Sequence, residues 1–127
     1  LDEIIMTLST VIGGLQVNPV RTQANLRKFG PFAAIERVLM AAVSRGADRQ
    51  ELHEILRQNS MNAWQAIQQG KENPLFDLIA GDPRVICWLS VEELTPLFDV
   101  SGYTGIASSR ARELAGRIRS LLSPMNG

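Results

Sequence analysis

Leu1, Ile4, Ile5, Leu8, Val11, Ile12 and Leu15 open the chain at spacings of three and four, which puts seven large apolar side chains on one helical face. This stripe constrains the fold more than any other feature. Each such side chain left in water forgoes about 1.5–3 kcal/mol of burial, so the face calls for a covering surface. Nothing caps the helix, and its pattern is already under way at residue 1. With no initiator Met, this leads to the expectation that the chain is a piece of a longer protein. Gly13-Gly14 weakens the helix by about 1 kcal/mol per glycine. Asn18-Pro19 then offers a cap and a first-turn proline. The pattern predicts a helix from residue 1 to about 17 and another to about 28.

The remaining residues are punctuated by helix starts and stops. Gly30-Pro31 breaks the chain and opens a helix to Arg45, with Phe32, Ile35, Val38, Leu39, Ala42 and Val43 inward and Gly46 as its C-terminal glycine. Asp48 with Glu51 forms a capping-box pattern. It starts a helix carrying Leu52, Ile55, Leu56, Asn59, Ala63, Trp64 and Ile67, which Gly70 ends. Asn73-Pro74 starts a short helix over Leu75–Ala80, and Gly81-Asp82-Pro83 stops it. Val85–Leu89 reads as a buried helical turn in preference to a strand. Ser90 with Glu93 is another capping box, opening a helix to Phe98. Asp99–Ser108 reads as a loop. A last helix is expected from Ser109 to Leu122, with Ala111, Leu114, Ala115, Ile118, Leu121 and Leu122 inward and Ser123-Pro124 ending it. The fold class is therefore all-α.

Composition narrows function by exclusion. Across 127 residues, thirteen Lys and Arg balance thirteen Asp and Glu, which argues against a nucleic-acid partner bound through net positive charge. No apolar run approaches the roughly 20 residues of a membrane span, and the first residues lack the basic start of a signal peptide. The lone Cys87 forms no internal disulfide and suits a reducing, cytoplasmic setting.

Few residues suggest chemistry. His53-Glu54 begins an H-E-x-x-H pattern, but position 57 is Arg, so no zinc site follows. Cys87 between Ile86 and Trp88 reads as a buried structural thiol. Arg110, Arg112, Arg117 and Arg119 read as solvated rows beside an apolar stripe. Gly102, Tyr103, Thr104 and Gly105 form the most unusual stretch. Its glycines permit backbone that other residues avoid, and Tyr103 is expected to pack its ring and hydrogen-bond its hydroxyl. The stretch either closes the fold or meets a ligand or a neighbouring subunit. No acid/base pair, no nucleophile with its base and no phosphate loop is present, and no cofactor or metal is implied.

The order of motifs resembles adenylosuccinate lyase, of the fumarase/aspartase superfamily. Gly14-Leu15-Gln16-Val17-Asn18-Pro19 is similar to its G-L-x-V-x-P stretch. Glu36-Arg37-Val38-Leu39-Met40-Ala41-Ala42-Val43 resembles its Q-R-V-L-L-A-L-V helix, and Asp48-Arg49-Gln50-Glu51 the turn after it. Met61-Asn62-Ala63-Trp64, Leu89-Ser90-Val91-Glu92-Glu93-Leu94 with Leu97-Phe98-Asp99, and Tyr103-Thr104-Gly105 follow in the family's order.

The resemblance implies residues 1–29 as the C-terminal end of a central helical bundle and residues 30–127 as a small all-α C-terminal domain. It also implies a homotetrameric parent that cleaves adenylosuccinate to AMP and fumarate, and the related succinyl-carboxamide ribotide, by β-elimination. The family's catalytic loop, G-S-S-x-M-P-x-K-x-N, and its histidine regions have no counterpart here. No catalytic or substrate-binding residue is therefore carried over, and the isolated chain is expected to be inactive. It is expected to self-associate through the Leu1–Leu15 face. The alternatives are the same region of a 3-carboxymuconate cycloisomerase-like or argininosuccinate lyase-like enzyme, or a helical interaction module.

Overall fold

The computed structural model describes residues 1–122. Its elements are α1 (Asp2–Gly13), α2 (Pro19–Phe29), a 3-10 turn (Gly30–Ala34), α3 (Ile35–Val43), α4 (Arg49–Gln68), α5 (Leu75–Ala80), α6 (Pro83–Ile86), α7 (Val91–Leu97), a second 3-10 turn (Ser101–Thr104) and α8 (Ala107–Leu122). No strand occurs among the described residues, so the fold is all-α.

The caps follow local chemistry. Asn18 accepts from the Arg21 amide at 3.0 Å and starts α2 with Pro19 in the first turn. Asp48 accepts from the Gln50 and Glu51 amides, both at 2.9 Å, and starts α4. Ser90 and Glu93 complete a reciprocal capping box on α7. Gly46, with φ +100, turns the chain out of α3 in the left-handed region where glycine carries no Cβ penalty.

The core lies between α3 and α7. Val38, Leu39 and Ala42 of α3 pack with Leu52, Leu56 and Ala63 of α4, Leu75 and Ile79 of α5, Val85 of α6, then Leu89 and Leu94. Two polar ties join the elements around it, one buried and one at the surface. Buried Asn59 on α4 donates through Nδ2 to Asp82 Oδ2 at 3.1 Å, and Asp82 Oδ1 accepts from the Arg84 amide to cap α6. Arg45, just past α3, donates through Nη1 to both the Trp88 carbonyl and Glu93 Oε2 at 2.8 Å.

Several expectations are corrected. Helix α1 ends at Gly13 rather than near residue 17, because Gly13-Gly14 stops it. The segment after Gly30 begins as a 3-10 turn, and α3 closes at Val43 rather than Arg45. Cys87 is exposed, not buried. Helix α6 is one turn long, so Val85 and Leu89 face the core while Cys87 falls on the outside. Its Sγ contacts the Arg84 carbonyl at 3.3 Å. Trp64 is 44% exposed and meets Phe29 at a tilt and Phe32 edge-on, at centroid distances of 6.1 and 5.9 Å.

The last helix starts at Ala107 rather than Ser109, and it has no inner face. Ala111, Leu114, Ile118, Leu121 and Leu122 are exposed and Ala115 is half-buried, because the α3–α7 core closes without them. The expected stop at Ser123-Pro124 falls outside the described residues.

Candidate functional site

Leu97 to Gly105 leads from the packed helices to α8, and its geometry is set by short-range contacts. Asp99 Oδ1 accepts from the Ser101 amide at 2.9 Å. The Ser101 hydroxyl, its amide and the charge of Arg37 hold the Asp99 carboxyl below the usual carboxylate range. Tyr103 donates through its hydroxyl to the Leu97 carbonyl at 3.2 Å. The Arg37 guanidinium sits over the Tyr103 ring at 5.1 Å, a cation–π distance. The ring and hydroxyl thus behave as the sequence predicts, although Tyr103 is still 40% exposed.

The two glycines differ. Gly105 has φ +50 and ψ −132, a backbone that L side chains rarely adopt. Gly102 lies in the 3-10 turn without a positive φ. Thr104 ends that turn and is exposed. Arg37, Pro96, Asp99, Ser101, Gly102 and Tyr103 line an open cleft of about 500 Å³. Its groups supply one cation, one carboxylate and one ring, which suits docking more than bond-breaking. The Ser101 hydroxyl beside Asp99 serves the turn, holding the carboxylate together with the Ser101 amide.

The other candidates stay apart. His53 is exposed on α4 next to Glu54, and Glu54 is bound by Arg57 and Gln58. No group of His, Cys, Asp and Glu among the described residues could hold a metal ion. Leu1, Ile4, Ile5, Leu8, Val11, Ile12 and Leu15 are all exposed, at 53% or more, and α1 buries none of its residues. Arg37 stands out in the sequence only as part of the Glu36–Val43 motif. Its position three residues before Met40 in a helix gave no sign that it would reach a ring 66 positions away.

Residues 31–114 match the family described as Adenylosuccinate lyase C-terminus. The chain belongs to this family. The matched residues include all of α3–α7 and the Gly102–Gly105 stretch. Adenylosuccinate lyase of Helicobacter pylori (strain ATCC 700392 / 26695) is 32% identical over 108 residues, which cover 81% of this chain and 24% of the relative. That of Schizosaccharomyces pombe is 30% identical over 125 residues, covering 97% of this chain and 26% of the relative. That of Schistosoma mansoni is 40% identical over 83 residues, covering 64% and 17%. The chain thus spans about a quarter of the length of the first two adenylosuccinate lyases. No helix among the described residues is long and apolar enough to cross a membrane.

Proposed function

We propose that this chain is the supporting C-terminal part of an adenylosuccinate lyase. The longer protein would cleave adenylosuccinate to AMP and fumarate, and the related succinyl-carboxamide ribotide, in cytoplasmic purine synthesis. The observation that carries this reading is the family match over residues 31–114, the stretch that also holds nearly all of the chain's packed core. In β-elimination a base removes a proton next to a carboxylate while an acid protonates the departing nitrogen. Neither group is assigned to this chain, so the 127-residue chain alone is proposed to be inactive.

The division at residues 29 and 30 belongs to the same proposal. Residues 1–29 end a helical bundle that meets other subunits of a homotetramer. Residues 30–127 form a small domain docked beside it, with Gly102, Tyr103, Thr104 and Gly105 at the rim of the active-site cleft. The Leu1–Leu15 stripe supports this division, because its seven exposed apolar residues need a cover. Where that cover is missing, the chain self-associates through the same face.

The test is a substrate panel offered to the longer polypeptide that carries this chain. Turnover of adenylosuccinate, with fumarate released, is the expected result. Turnover of argininosuccinate or a carboxymuconate in its place would move the protein to a neighbouring branch of the superfamily.

A further inference from the structure

Arg37 is exposed, yet it stands on a rigid base. The next two residues of α3, Val38 and Leu39, are buried in the core. From there its guanidinium lies over the Tyr103 ring at 5.1 Å, and its charge acts on the Asp99 carboxylate. Among the described residues it joins no ion pair. The Tyr103 turn is held mostly by itself. The Tyr103 hydroxyl donates to the Leu97 carbonyl, the Tyr103 amide to the Val100 carbonyl, and the Ser101 amide to Asp99. These bonds shape the turn without fixing where it sits. Val100 lies against Gly30 where the turn begins. Beyond that point residues 101–106 are exposed, and Arg37 on Tyr103 is the contact that reaches back to α3.

We propose that Arg37 is a positioning residue, which fixes the Gly102–Gly105 turn against α3 through the Tyr103 ring. The proposal rests on the placement of that turn at the cleft rim. A guanidinium suits the task, because it is planar, stays charged and stacks on aromatic faces. At an exposed site such a contact changes an equilibrium about two- to fivefold. A turn loosened by that much has to be ordered when substrate binds, and the cost falls on binding. Arg37 touches no reacting group, so its loss raises KM and leaves kcat alone.

Steady-state kinetics of the longer polypeptide test this with Arg37→Met, Arg37→Lys and a Tyr103→Leu background. Arg37→Met is expected to raise KM for adenylosuccinate about two- to fivefold with kcat unchanged. Arg37→Lys should recover part of the loss, since it keeps a cation for the ring. In the Tyr103→Leu background Arg37→Met should add nothing, because the ring it acts through is gone. An unchanged KM, a fall in kcat in its place, or an undiminished effect without the ring would overturn the proposal. Arg37 is exposed, so melting should match the parent. A large drop would mark Arg37 as a residue of the fold and overturn the proposal too. A second readout needs no turnover. Tyr103 is the only tyrosine in the sequence, so its ring gives one set of NMR signals in the 127-residue chain. Arg37→Met should shift those signals and speed amide exchange over residues 101–105. Signals and exchange equal to the parent's would overturn the proposal even where the longer polypeptide has no lyase activity. The underlying readings fail separately. Absence of adenylosuccinate turnover in the parent polypeptide sinks the lyase reading. An effect of Gly105→Val on kcat without any effect of Arg37→Met sinks the role of Arg37 alone.

Discussion

Gly30 has no room for a side chain. A Cβ built there would stand 2.7 Å from Cγ2 of Val100, at the point where α2 gives way to α3. Gly30→Ala is expected to lower stability by about 1–3 kcal/mol, the usual cost of overpacking, and Val100→Ala added to it should recover most of the loss. Thermal melts of the single and double variants check this. Glu93 makes a second prediction. The Arg45 guanidinium, together with the Ser90 amide, pulls its carboxyl down to about 2, against about 4.3 for a free glutamate. A carboxyl depressed on folding stabilises the fold above its unfolded value, and that contribution fades as pH falls from about 4.3 toward about 2. Arg45→Met should therefore melt lower than the parent chain at neutral pH. The gap should narrow through that window and close near pH 2. Neither contact could be read from sequence, since Arg45 and Glu93 are 48 positions apart and Gly30 and Val100 are 70 apart.

What was legible at the level of elements was what neighbours in sequence decide. Asp48, Ser90 and Asn18 cap the helices they were expected to cap, because a cap needs only an oxygen two or three residues ahead of an amide. The inward residues of α3 and most of those of α4 followed from their period. For α8 the same period marked an apolar face but could not say whether anything lies against it. For Cys87, reading Val85–Leu89 as one buried helical turn does not say which of its residues face outward. In the sequence Asp82 reads only as part of a stop, yet its carboxylate also ties α6 to Asn59 on α4. Replacing Asn59 by Leu should cost about 1–3 kcal/mol, since it leaves a buried carboxylate short of a donor. Denaturant melts would measure it. The Tyr103 turn was legible in its residue types, and Gly105 supplies the backbone reason. Gly105→Val should impose about 1–3 kcal/mol of strain at φ +50. In the longer polypeptide it should lower kcat or melting temperature, while Gly102→Ala, at an ordinary φ with open space around it, should change neither. Unchanged kcat in Gly105→Val would mean that the turn only closes the domain.

Across the whole molecule, charge and apolar surface are distributed unevenly. The chain is neutral overall, yet α8 is basic and α1 acidic, and both keep their apolar faces in water while α3–α7 enclose a packed core. That pattern suits a part that completes itself in the middle and is completed by others at its ends. It agrees with membership of the adenylosuccinate lyase C-terminus family and with a chemistry housed elsewhere. The deciding measurement is fumarate release from adenylosuccinate, side by side for the 127-residue chain and for the longer polypeptide proposed to carry it. Steady turnover by the longer polypeptide and none by the chain alone is the expected result. Turnover by the chain alone, or none by the longer polypeptide, would overturn the supporting role proposed for this chain.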